Sequence, residues 1–175
     1  MSGHNKWSKI KRQKEKTDAQ KSKIFGKMVR VITVEAKKSN GQMTPSLRAA
    51  VDAAKAANVP ADNIDRAIKK ASEPSENLDS ITYEAYGPGG CALIIDALTS
   101  NRNKAAQEIK HILSKHGFAL AAPGSAQWAF TKSVEEGWVP NSTVPISEAD
   151  GALLETLMSD LEDNDEVQDV YTNAE

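Results

Sequence analysis

The stretch ASEPSENLDSITYEAYGPGGCALIIDAL, residues 71–98, divides the chain. Upstream of it, apolar residues recur every three or four positions, the spacing of helices that bury one face. Within it, a run containing proline, serine and acids gives way to alternation. Ile81, Tyr83 and Ala85 take every second position, Gly87-Pro88-Gly89-Gly90 supplies turn chemistry, and Cys91 to Leu98 is almost wholly apolar. A half-buried strand, a turn and a fully buried strand make a β-hairpin with a four-residue tip. Residues 71–79 lack periodicity and read as a linker between a domain of residues 1–70 and one of residues 80–175.

Charge changes sign at the same place. Residues 1–70 hold 17 basic and 6 acidic side chains, a net +11, whereas residues 71–175 hold 5 and 18, a net −13. The overall charge of −2 conceals this. Such asymmetry points to a polyanionic partner for the first part and repulsion of that partner by the second. Positive charge is densest in residues 1–30, with ten Lys or Arg against Glu15 and Asp18. Residues 1–16 offer no apolar face and read as an arm that orders on binding. An indole, Trp7, stands in it between Lys6 and Lys9, placed to stack on a base or to fold against the helices.

Thr17-Asp18-Ala19-Gln20 fits a capping box, and Ile24, Met28 and Ile32 mark the buried side of the helix it opens, which stops near Ser39-Asn40-Gly41. Thr44-Pro45 starts a second helix, with Leu47, Ala50, Val51 and Ala54 buried, ending near Asn58. Pro60 opens a third around Ile64, Ala67 and Ile68. Three short helices make a compact bundle. Beyond the hairpin, Thr99 to Asn101 caps a helix that ends at His116-Gly117, and a strand is expected over Ser125 to Thr131, with Gln127 and Trp128 central. A short strand is expected at Ser142 to Ile146, then a helix capped by Ser147, then a strand over Val167 to Tyr171. The fold class is α+β: an N-terminal three-helix bundle with a basic arm, followed by an α+β sandwich whose helices cover one face of a mostly antiparallel sheet.

Several classes are excluded or disfavoured. No run of about eighteen apolar residues could span a membrane. The N-terminus lacks a secretory apolar core and is Lys-rich rather than Arg-rich, unlike a transit peptide. One cysteine, Cys91, can form neither an internal disulfide nor a metal cluster and reads as a small buried hydrophobe. His111 and His116 lie five apart, off a common helix face, so no metal and no cofactor is expected. No nucleophile elbow, phosphate loop or metal motif frames a catalytic set, and Glu162, Asp163, Asp165 and Glu166 read as a solvated helix end. The expectation is a protein that is not an enzyme and takes no small-molecule substrate.

A resemblance then enters on many short motifs in fixed order. Gly3 to Lys11 (GHNKWSKIK), Lys23-Ile24-Phe25, Leu47 to Ala50, Ala56 to Ile64, Tyr86 to Gly90, Thr99 to Asn103, Ser114 to Gly117 and Val167 to Asn173 closely resemble the YebC/PmpR family. The resemblance implies a cytoplasmic bacterial or organellar protein. Such proteins are described both as DNA-binding transcriptional regulators and as translation factors acting at the ribosome, including on proline-rich nascent chains. One departure stands out: family members usually carry a further small α/β domain after the strand ending here near Phe130-Thr131-Lys132. In this sequence Ser133 to Trp138 alone lead on to the segment resembling Val139 to Val144.

The candidate nucleic-acid-binding residues are His4, Lys6, Trp7, Lys9, Lys11, Arg12, Lys14, Lys16, Lys21, Lys23, Lys27 and Arg30. Neutralising about six to eight duplex phosphates would give a salt slope of roughly −5 to −7. A second candidate contact loop combines Gly87, Pro88, Gly89 and Gly90, which let a partner approach closely, with Asn101, Arg102 and Asn103 at a helix N-terminus. Glycine in a hairpin tip usually serves turn geometry alone, and simple capping accounts for Asn101 to Asn103 at least as well. No recognised base-reading motif is present, which favours a shape-led or structured-RNA target over DNA, and what the family resemblance implies puts ribosomal RNA first. The runner-up readings are a DNA-binding transcriptional regulator and a protein-interaction adaptor whose acidic domain docks a basic partner.

Overall fold

The computed structural model describes residues 18–71, 78–134 and 136–175. They form two compact units that meet in sequence between Leu78 and Asp79, and each has its own apolar core. The arm of residues 1–16, the Thr17 cap and most of the expected linker lie outside the described residues.

The first unit is the expected bundle, of α1 (Asp18–Lys38), α2 (Pro45–Ala56) and α3 (Ala61–Lys70). Ile32 and Ala36 of α1 meet Leu47, Val51 and Ala54 of α2 and Ile64 and Ala67 of α3 in a core narrow enough to need alanine at the crossings. Thr44 caps α2 by accepting the Leu47 N–H at 3.2 Å, with Pro45 in the first turn, where its missing N–H costs nothing. Both α1 and α2 end on an asparagine in the left-handed region, Asn40 (φ 50°) and Asn58 (φ 62°). Behind each, the next residue's N–H reaches back to close the helix: Gly41 to the Ala36 carbonyl at 2.8 Å, Val59 to the Ala54 carbonyl at 2.9 Å. Val59 also buries its side chain in the core, tying chain reversal to packing.

The second unit is built on an antiparallel sheet of β1 (Asp79–Tyr86), β2 (Ala92–Thr99) and β5 (Val167–Thr172), with β2 central. Central placement explains the apolar run: Leu93, Ile95 and Ala97 face one side, Ala92 and Ile94 the other. The first side is covered by α4 (Arg102–Lys115) and α5 (Glu148–Glu162) through Ile109, Leu113, Leu154, Leu157 and Leu161. Cys91 is fully buried there, as expected. Asn101 and Ser147 cap the two helices through their side chains, and Gly117 (φ 83°) ends α4. Five residues, Gly87 to Cys91, join the strands rather than the expected four, and the Gly87 N–H bond to the Cys91 carbonyl at 2.8 Å closes them around a tight turn at Pro88–Gly90.

Two expectations are overturned on the sheet's other side. Ser125 to Thr131 is not one strand: the chain turns at Gln127–Ala129, and only β3 (Phe130–Ser133) is extended. The cause is Glu84, forty residues away in sequence. Its carboxylate accepts the N–H groups of Gly124, Ala126 and Gln127 at 2.6, 2.8 and 2.8 Å, curling that segment around one buried charge. The strand expected at Ser142 to Ile146 is also absent. Instead β4 (Gly137–Pro140) pairs with β3, and Val144 makes a lone parallel bridge to Ala174. Ala126, Ala129, Phe130 and Trp138 from this region bury the second side of the sheet.

Candidate nucleic-acid interface

The cationic residues that the structure describes begin on α1. Its core-facing positions are Phe25, Met28, Val29, Ile32 and Ala36. At about 100° per residue, Lys23, Lys27, Arg30 and Lys37 fall on the opposite side of the wheel as one stripe. The rise of about 1.5 Å per residue spreads it over roughly 21 Å. Lys23 is exposed and the other three are half-buried. Lys37 belongs to this stripe although sequence reasoning stopped at Arg30. Lys21 does not belong to it, lying about 160° around the helix from Lys23. Exposed Arg48 and Lys55 on α2 and Arg66 and Lys69 on α3 add to the positive character of this unit. His4, Lys6, Trp7, Lys9, Lys11, Arg12, Lys14 and Lys16 lie outside the described residues.

The second candidate loop is divided by the sheet register. Tyr86 pairs with Ala92 at one end of the hairpin, and Asp79 pairs with Thr99 at the other. Seven residue steps of about 3.3 Å separate the Gly87–Gly90 tip from the Asn101–Asn103 turn by roughly 23 Å. They cannot grip one phosphate. At the tip, Gly87 and Pro88 are buried, and a Cβ on Gly89 (φ +68°) would stand 2.6 Å from Ile146 Cγ2, so the glycine serves packing onto the α5 entrance. At the far end, Asn101 accepts the Lys104 N–H at 3.0 Å, while Arg102 Nε donates to Asp79 at 2.9 Å.

Cations of the acidic unit are largely answered by neighbouring carboxylates. Lys104 lies 3.8 Å from Glu108 and 3.6 Å from Glu166, and Lys115 lies 3.3 Å from Asp160. His116 Nε2 meets the same Asp160 oxygen at 2.8 Å. That bond, working against partial burial and helped by Lys115, holds the Asp160 carboxyl below its ordinary pKa. No grouping of three His, Cys, Asp or Glu suited to a metal occurs among the described residues.

One feature escaped sequence reasoning because it depends on the Glu84 turn. Trp128, expected inside a strand, stands 66% exposed beside the 38% exposed Tyr86. Trp128 Nε1 donates to the Ser125 carbonyl at 2.8 Å, and the Tyr86 hydroxyl donates to the same oxygen. The sequence did hold a signal: no Asp or Glu occurs between Glu108 and Glu135, within a domain otherwise rich in them.

Family comparisons bear on both units. The N-terminal domain model of TACO1/YebC proteins matches residues 5–74, and the model of their second and third domains matches residues 78–134 and 131–174. The chain belongs to the TACO1/YebC family. A "probable transcriptional regulatory protein" from Thermosipho africanus is 38% identical over 237 positions, covering 100% of this chain and 94% of that protein. One of the same description from Petrotoga mobilis is 44% identical over 173 positions, covering 97% of this chain and 68% of that protein. A crystal structure of a conserved hypothetical protein from Aquifex aeolicus superposes with a TM-score of 0.81 at 30% identity, covering 90% of this chain and 91% of that one. The Thermosipho alignment runs over 237 positions against 175 residues here, so 62 of them have no counterpart in this TACO1/YebC chain. The two pieces matched by the second model meet at residues 131–134, within and just after β3.

Proposed function

We propose that this chain is a nucleic-acid-binding regulator of gene expression that works without catalysis, and that its target is structured RNA of the ribosome. The carrying observation is the segregation of charge, +11 over residues 1–70 against −13 over the rest, with Lys23, Lys27, Arg30 and Lys37 aligned on one helix flank. A cationic stripe of this length can follow a phosphate backbone but offers no bidentate code for base edges. Shape-led recognition of that kind suits RNA, whose deep major groove side chains cannot read. By sequence, Lys6, Lys9, Lys11, Arg12, Lys14 and Lys16 supply six further cations to this reading, with His4 and Trp7 as further contacts.

Binding to DNA as a transcriptional regulator is the second reading, favoured by the names that relatives carry. Gradient sedimentation of cell extracts separates the two. Comigration with large ribosomal subunits supports the RNA reading, whereas retention on promoter DNA with none on ribosomes supports the DNA reading. In either case, reversing the charge of Lys9, Lys11, Arg12 and Lys14 abolishes the association with little change in melting temperature. Unchanged affinity in that variant would remove the arm from the interface.

A further inference from the structure

The acidic unit contains an exposed aromatic pair that its own fold does not use for burial. Its other described tryptophan behaves differently: Trp138 is 8% exposed, donates through Nε1 to Asp96 at 3.1 Å, and lies under the Lys132 ammonium, 5.1 Å from its centroid. Trp128 instead turns two-thirds of its surface outward. Its ring is fixed in place. Glu84 anchors the N–H groups of Ala126 and Gln127 beneath it, Asn141 donates to its carbonyl at 3.3 Å, and its indole N–H is held by Ser125. With the Trp128 N–H and the Tyr86 hydroxyl both directed at that one carbonyl, the outward surface is chiefly aromatic ring.

The surroundings are as informative as the rings. Segments 85–95, 109–134 and 137–147 contain no Asp or Glu, although residues 71–175 carry 18 of them. These three segments supply Tyr86, Trp128 and Asn141, so carboxylates are absent from the sequence around the pair. Of the carboxylates that other parts of the unit bring to these segments, Glu84 is buried with its charge satisfied by three backbone donors, Asp96 accepts from Trp138, and Glu175 accepts from Thr143. The segments that carry the rings thus contribute no like charge of their own to repel a phosphate-bearing strand. We propose that Tyr86 and Trp128 form a stacking platform for an unpaired base of single-stranded RNA, a contact separate from the cationic stripe of α1. The proposal rests on the nucleic-acid reading above. Stacking accepts any base face, so the platform adds affinity for unpaired strands rather than a sequence code. Because the ring is already immobilised, little ordering is lost when a base settles on it.

The test compares the full chain with Trp128→Ala, Trp128→Leu and Trp128→Phe for binding a labelled oligoadenylate and an A·U RNA duplex of equal length. Trp128→Ala is expected to weaken oligoadenylate binding by about 5- to 150-fold and to leave duplex affinity within about twofold. Trp128→Phe is expected to retain most of the single-strand affinity, and Trp128→Leu, which keeps apolar area but no ring, to behave like Trp128→Ala. Unaltered oligoadenylate binding in Trp128→Ala overturns the platform, as does full retention by Trp128→Leu or an equal loss on duplex and single strand. So would sedimentation showing self-association that Trp128→Ala abolishes, since the pair would then join copies of this chain. If the unaltered protein binds neither RNA, the nucleic-acid reading itself fails, an outcome distinct from a platform that makes no difference.

Discussion

Glu84 illustrates how one side chain can redirect a whole segment. On its strand it alternates outward from the helices, where a glutamate would ordinarily reach solvent, yet it is only 5% exposed and accepts three backbone N–H groups. Burial works to raise its pKa, and those donors more than offset burial, leaving it below the ordinary glutamate value. A depressed folded-state pKa contributes stability that is present above the ordinary glutamate value and lost as pH falls below that value through the lower folded-state one. Thermal melts between about pH 7 and pH 3 should therefore show a decline of which Glu84→Gln removes a part. At neutral pH the same substitution should cost about 2 to 4 kcal/mol in urea unfolding, because an amide cannot accept all three donors as a carboxylate does. Asp160, held low by His116, adds to the acid sensitivity with the same sign.

At the scale of elements, the legible features were those whose cause lies within a few residues. Thr44, Asn101 and Ser147 cap the helices they precede, and Gly117 ends one, because each acts on backbone three or four positions away. The buried run of β2 was legible because an apolar stretch between turn signals fits a central strand. The segment 125–131 was not, since the partner that curls it stands forty positions earlier and leaves no local mark. The candidate site divides in the same way. The Lys23, Lys27 and Arg30 stripe follows from helical periodicity, which also places Lys37 on it and Lys21 off it. The separation of Gly87–Gly90 from Asn101–Asn103 required the strand register. Replacing Lys23, Lys27, Arg30 and Lys37 together with glutamine should lower the salt dependence of RNA binding by roughly 3 to 4 in slope, if each meets one phosphate. Fluorescence anisotropy across a salt series measures it; an unaltered slope would take the flank of α1 out of the interface.

For the whole molecule, the two cores share no residue, so the units should survive separation. Residues 1–78 carry 17 basic and 8 acidic side chains, and residues 79–175 carry 5 and 16. Expressed apart, each should give a cooperative melt. The first should hold nucleic acid with a steep salt dependence, and the second should show at most weak binding nearly insensitive to salt. Gel-shift titrations at two ionic strengths decide this. A fragment of residues 79–175 bound as steeply as the full chain would contradict the division of labour by charge.

The ribbon of β3 and β4 carries a different consequence. Ser133 and Gly137 face each other across it, so the polypeptide leaves and re-enters the sheet at neighbouring points, and Gly137 (φ +75°) sits so close to the Tyr171 ring that a methyl group would stand 2.7 Å from Cζ. Closing a longer excursion between such adjacent ends costs only about 0.6 kcal/mol per doubling of its length. That doorway, where the two pieces matched by the second family model meet, can admit or release a longer segment without disturbing the masonry on either side.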